Sequence, residues 1–165
     1  MKKILKYSAL LAVFICSNIV SGAERKVDPA VAAEVGTLAR LISDQYSVYL
    51  DRSLAVRKFD GSKYAVATFS IEGFGQGNNV KRFLAVFVPE YKTESEPPFA
   101  PVGDPKYRLV GYTPICDKRH MVVDVASLQI KGRALTGSCK NYRNENLPLQ
   151  KLDIELLPFG INVEG

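Results

Sequence analysis

Residues 64–88, YAVATFSIEGFGQGNNVKRFLAVFV, constrain the fold more than any other stretch of this chain. Two runs rich in β-branched and aromatic residues, 64–71 and 83–88, flank the glycine- and asparagine-rich segment 73–79. Such residues fit a pleated, packed surface, and Gly and Asn tolerate the positive φ angles of a chain reversal. The pattern predicts the central hairpin of an antiparallel sheet, with Phe69, Ile71 and residues 83–88 as its densest apolar surface. The G-x-G-x-G string in the reversal superficially resembles a phosphate cradle. Those cradles lead into a helix whose N-terminus meets the phosphate. Here the chain runs on into a strand, so a wide turn is expected.

Other elements follow from spacing. Asp28 and Pro29 suit a helix N-cap and first helical position. Val31, Val35, Leu38, Ile42 and Tyr49 then fall on one helical stripe, predicting an amphipathic helix over 29–50 with its apolar face on the sheet. Residues 53–59 and 62–72 flank Asp60-Gly61, a two-residue hairpin signal. Residues 89–105 contain five prolines, which predicts a long irregular loop. Strands are expected at 107–115 and 134–138, with strand or short helix at 121–130 and a tight turn at Lys131-Gly132-Arg133. Segment 141–148 reads as a loop. Leu152-Asp153-Ile154-Glu155-Leu156 alternates apolar and charged residues, as a half-exposed strand does. The fold class expected is α+β: an N-terminal amphipathic helix packed on a curved antiparallel sheet of six or seven strands.

Residues 1–23 have the layout of a secretory signal peptide. Lys2, Lys3 and Lys6 precede an apolar stretch, and Ser21-Gly22-Ala23 offers small residues for cleavage. The apolar stretch is about half the roughly 20 residues that span a bilayer. The expectation is a single exported domain, 24–165, without a transmembrane anchor after cleavage and located in the periplasm or outside the cell. Cleavage removes three lysines and no acids, so the formal charge of +5 falls to +2. That gives no electrostatic reason to expect nucleic acid as a partner. Cys116 and Cys139 remain, and in an oxidising compartment an isolated pair is most simply a disulfide. A bridge needs Cα atoms within about 7 Å, so at least one cysteine should lie at a strand end or in a loop.

The order GFGQGNNVKRFLAVFV, YRLVGYTPI, a basic turn and VASLQIKGRAL resembles exported bacterial domains of unknown function, over about residues 69–135. The shared features are a G-x-G-N-N segment, a strand ending L-A-V-F, a strand with L-V-G and a hairpin with I-K-x-G. The adjacent cysteine pair of many such domains is absent; only Cys139 stands in that region, within Ser138-Cys139-Lys140-Asn141. The resemblance implies export and fold, and no activity or catalytic residue.

Chemistry is sparse. His120 is the single histidine. Cys116 and His120 have the spacing of a metal pair, yet a closed zinc site needs four ligands, so neither a metal nor a cofactor is expected. No G-x-S-x-G or H-E-x-x-H segment occurs. Glu72 or His120 would centre a small secreted hydrolase, the rival to a binding role; a structural envelope component is the third reading. Basic residues near strand ends, with tyrosines between them, favour binding. Arg82, Tyr107, Tyr112, Arg119, Tyr142 and Arg143 are the candidate contacts, because Tyr and Arg serve as interface anchors. The expected function is a non-enzymatic binding or inhibitory protein acting through loops 73–79 and 89–105 on a protein, peptide or envelope glycan.

Overall fold

The hairpin of residues 64–88 forms the middle layer of the molecule in a computed structural model that describes residues 27–75, 79–93, 101–118, 120–144 and 146–163. The segment expected to be a signal peptide, the tip of the 73–79 turn and the centre of the proline-rich segment lie outside the described residues. Strands β1 (Val48–Lys58), β2 (Ala65–Glu72), β3 (Val80–Thr93) and β4 (Pro101–Ile115) pair antiparallel in that order. A second antiparallel sheet holds β5 (Met121–Val123), β6 (Gln129–Lys131), β7 (Ala134–Asn141), β8 (Gln150–Leu157) and β9 (Gly160–Val163). Its order is β5-β7-β8-β9, with β6 also pairing β7 and a 3₁₀ turn, Val125–Ser127, between β5 and β6. One helix, α1 (Pro29–Ile42), precedes the strands. The class is α+β, as expected. The single sheet of six or seven strands is corrected to two sheets and nine strands among the described residues.

Three layers result. Alternate residues of β2 and β3 face opposite ways, and both faces are covered. Val31, Val35 and Leu38 of α1 pack with Phe69, Ile71, Phe83, Ala85 and Phe87 on one side. Val66, Leu84, Val86 and Val88 meet Leu135, Ile154 and Leu156 of the second sheet on the other. Burial on both faces explains why residues 83–88 read as a continuous apolar run rather than an alternating one. Strand β8 lies at the outside, and its burial alternates along its length. Full burial of each aliphatic side chain contributes roughly 1.5–3 kcal/mol, so both interfaces are needed.

Helix α1 starts as its sequence predicts. The Asp28 carboxylate accepts from the N–H groups of Ala30 (2.9 Å) and Val31 (3.3 Å), with Pro29 in the first turn. It ends at Ile42, not near residue 50. Ser43 takes extended backbone, and Val48–Leu50 already belong to β1. Tyr49 still reaches the core expected of it, but from a strand, edge-on to Phe69 at 6.1 Å.

The proline-rich segment is also corrected. Its described ends are strand, with Pro89 opposite Tyr107, Glu90 opposite Lys106 and Thr93 opposite Pro101. Proline is tolerated because β4 is an edge strand and β2 stops pairing with β3 at Phe87. The ribbon carries a register shift between Glu90 and Lys92, near Gly103 at φ 75°.

The sheets are joined at both edges. Arg57 of β1 donates to the carbonyls of Val125 and Ala126, both at 2.7 Å. At the other edge Cys116 and Cys139 form a disulfide with Cα atoms 5.8 Å apart. Cys116 lies just past the end of β4 and Cys139 within β7, which meets the expectation that one cysteine leave the strands. Gly111 of β4 meets Ile161 of β9 so closely that a Cβ there would lie 3.0 Å from the Ile161 side chain.

Candidate functional site

Strand β3 enters the sandwich at Val80 and leaves at Thr93. At a rise near 3.4 Å per residue, its ends are about 40 Å apart. The 73–79 turn is at one end and the proline-rich ribbon at the other. They share no rim.

What the turn does share is a cleft of about 400 Å³ lined by Asn79, Val80, Arg82, Asp117, Lys118, His120 and Tyr142. Arg82 comes from β3, Asn79 from the turn before it, Tyr142 follows β7, and Asp117, Lys118 and His120 come from the connection between β4 and β5. That connection is firmly held. Cys116 anchors its start through the disulfide, and the Tyr142 N–H donates to the His120 carbonyl at 3.0 Å near its end. Both anchor residues have left-handed backbone, Cys116 at φ 53° and His120 at φ 67°. Non-glycine residues adopt this conformation only where surroundings enforce it, and such positions cluster at functional sites.

His120 Nδ1 lies 3.0 Å from the Tyr142 hydroxyl, with the rings edge-to-face at 5.4 Å between centroids. Arg82 and Lys118 add two positive charges against the one carboxylate of Asp117, so the cleft favours an anion. Arg82 makes neither an ion pair nor a hydrogen bond through its side chain among the described residues. Its register partners are Ser70 on β2 and Ile115 on β4. It therefore projects on the face toward the second sheet, like Leu84 and Val86.

The six candidate contacts divide. Arg82 and Tyr142 meet in the cleft. Tyr112 stands on the opposite face of its sheet, 43% exposed and 6.5 Å from the Phe83 ring. Tyr107 is not at a rim at all. It is buried under α1, with its hydroxyl toward Asp28 at 3.4 Å and the Lys58 ammonium over its ring. Arg143 is exposed beside the cleft loop, its N–H donating to the Asn141 side chain. Arg119 lies outside the described residues. Glu72, the alternative catalytic carboxylate, is at the exposed end of β2 opposite Val48 and Val80. Among the described residues no group of three His, Cys, Asp or Glu side chains is placed to hold a metal.

Sequence reasoning missed Ser70 and Thr68, whose register opposite Arg82 and Leu84 turns them into the space between the sheets. Counting outward from the 73–79 turn would have paired Ser70 with Arg82, given that the Gly73 N–H donates to the Asn79 carbonyl.

Comparison with family models, curated proteins and solved structures found no match to this chain.

Proposed function

We propose that this is an exported, non-enzymatic binding protein whose ligand surface is the Arg82–Lys118–His120–Tyr142 cleft, with the 73–79 turn on its rim. The observation that carries the reading is the Arg82 guanidinium, which has no ion-pair partner among the described residues, in a cleft with a second cation and an aromatic wall. Arginine and tyrosine anchors of this kind dominate binding energetics where they are gathered. Export is supported by the basic, apolar and small-residue order of residues 1–23 and by the Cys116–Cys139 bridge. No helix of the described residues is long and apolar enough to cross a membrane. The ligand is an anionic group of a peptide, protein or envelope glycan. The described ends of the proline-rich ribbon lie at the far end of β3 and are not among the residues lining this cleft.

The test is capture from an envelope extract with immobilised protein. Tyr142→Ala and Lys118→Glu should each abolish recovery of the partner, while Tyr91→Ala on the ribbon should not. Retention by both cleft variants would reject the reading.

The His120–Tyr142 hydrogen bond favours a second reading, a small hydrolase in which the pair moves a proton. Among the described residues lining the cleft there is no Ser, Thr or Cys to act as nucleophile. Turnover of envelope polymers by the wild type, lost in His120→Gln, would establish it.

A further inference from the structure

We infer that the space between the two sheets behind Arg82 is a pocket for a carboxylate carrying a short, branched aliphatic tail. The inference rests on the binding reading above and names the chemistry of its ligand.

A cavity of about 260 Å³ opens there, and Arg82 lines both it and the outer cleft. It exists because β1 bulges. Leu50 pairs with Ser70 and Ala55 with Thr68, so residues 51–54 leave the ladder while β2 advances by only two positions. Bulges recur beside sites because they open a sheet locally. Ser53 mends the gap, donating to the Leu50 carbonyl at 2.6 Å and accepting from the Ser70 N–H at 2.7 Å.

The polar groups that remain converge without being used. The Ser70 and Thr68 side chains line the cavity, and their hydroxyls have no hydrogen-bond partner among the described residues. Arg82 is the one charged residue among those lining it. The rest of the wall is branched aliphatic: Ile115 beside Arg82 on β4, and Val122, Val123 and Val125 across the gap. Binding pockets have this composition, an apolar wall with a few convergent polar groups. One guanidinium presents a planar fork that matches a carboxylate with two parallel hydrogen bonds, and two hydroxyls can complete its oxygen contacts. A single cation matches a single negative charge.

Size sets the remainder. Pockets for drug-sized ligands begin near 300 Å³, so this one holds a fragment the size of one side chain. The tail fits against the valines with the carboxylate at Arg82, and anything longer must leave through the outer cleft past Tyr142. Two sources supply such a group: a free branched short-chain acid, or the C-terminus of a peptide ending in Val, Leu or Ile.

The experiment is an amide-resolved NMR titration of the intact disulfide-bonded protein. The probes are isovalerate and N-acetyl-Ala-Ala-Val, each against its neutral amide. Saturable shifts at Ser70, Arg82 and Val123 with the acids and not the amides are expected. Charge-assisted hydrogen bonds of this type support an affinity loss of at least about tenfold in Arg82→Met. Thr68→Val, which exchanges a hydroxyl for a methyl group, should weaken binding several-fold without unfolding, and Val123→Phe should block the pocket. Circular dichroism confirms folding of each variant, and Thr68→Val decides the matter if Val123→Phe fails to fold. If only the peptide binds, and Tyr142→Ala weakens it, the source is a C-terminus. If isovalerate binds and is indifferent to Tyr142→Ala, the source is a free acid. Equal binding of acids and amides, or no shift at these residues, overturns the inference. Should the acids fail while Tyr142→Ala still abolishes envelope capture, the inference falls and the binding reading stands. Should the acids bind while capture survives both Tyr142→Ala and Lys118→Glu, the outer cleft is not the partner surface and the pocket remains.

Discussion

Breaking the Cys116–Cys139 bridge is the perturbation whose size follows most directly from the fold. The cysteines are 23 positions apart in sequence. For a loop of that length, the chain-entropy relation gives about 3.4 kcal/mol of stabilisation at room temperature, through a less disordered unfolded state. Both cysteines are also buried in the core between the sheets, at 3% and 0% exposure. Reduction removes only the cross-link and leaves both sulfurs in place. The double variant Cys116→Ala, Cys139→Ala additionally deletes two buried atoms, at about 1 kcal/mol each by analogy with other single-atom core truncations. The two perturbations should therefore differ, with losses of roughly 3.4 and 5 kcal/mol.

Urea unfolding followed by far-UV circular dichroism measures both, since the chain has no tryptophan to report by fluorescence. Domains are stable by only about 5–15 kcal/mol, so a loss of this size moves the midpoint visibly. The same bridge anchors the start of the loop that carries Asp117, Lys118 and His120. Reduction should therefore broaden the amide signals of that loop before global unfolding. A reduced protein within about 1 kcal/mol of the oxidised one would refute the entropic reasoning. Equal losses for reduction and for the double alanine variant would refute the packing part.

Three further outcomes are expected. Gly73→Ala should destabilise by about 1–3 kcal/mol, because Gly73 has φ 73° and a Cβ there would lie 2.6 Å from the Tyr46 carbonyl oxygen; urea midpoints check it, with Gly61→Ala, which meets no atom within 4 Å, losing less. Arg57→Met removes two charge-assisted hydrogen bonds between β1 and the 3₁₀ turn, for a loss of about 1.5–3 kcal/mol in the same assay. For Asp28, hydrogen bonding from Lys58 first, aided by the N–H groups of Ala30 and Val31, outweighs burial and holds the carboxyl below its ordinary 3.8. That contribution is present above pH 3.8 and lost as pH falls through the lower folded value. Lys58 is raised from 10.5 to about 12, by Asp28 and then by Tyr107, so its contribution holds below 10.5 and disappears as pH rises through about 12. The Lys58 side chain is 54% exposed, so the pair itself is worth no more than about 1 kcal/mol. Asp28→Asn keeps the helix cap and should flatten the acid limb of a stability–pH curve; an unchanged limb would remove the ion pair from the account.

Local chemistry was legible and partition was not. The Asp28-Pro29 cap, the Asp60-Gly61 reversal and the Lys131-Gly132-Arg133 turn depend on a few adjacent residues, and each is where its residue types require. The helix end was misjudged because Tyr49 sits seven positions beyond Ile42, a spacing that a helix satisfies. The strand Val48–Lys58 brings the same ring to the same core by another path. Alternating strands such as β8 carry no mark of which sheet they join, since that depends on pairs distant in sequence. Prolines misled at 89–105 because their ban applies to central strands, and edge position is a property of the sheet. For the site, Tyr107 and Tyr142 are chemically alike in sequence. Only the register of β4 under α1 separates an anchor for the helix from a wall of the cleft.

Thr68, Ser70 and Arg82 form a polar group at one end of the space between the sheets. Further along the same faces, Val66, Leu84 and Val86 fill the space between the sheets with apolar side chains. Continuing that pattern through positions 68, 70 and 82 would have closed the core, because Ile115 and the valines of the opposite sheet already supply half of it. Thr68, Ser70 and Arg82 stand there instead. At the neighbouring edges the sheets are joined by Arg57 and by the disulfide, so the opening is not a general failure of packing. It lies where β1 bulges and where the Arg82 guanidinium has no ion-pair partner among the described residues. An anion satisfies all three groups at once, and no hydrophobic core requires them.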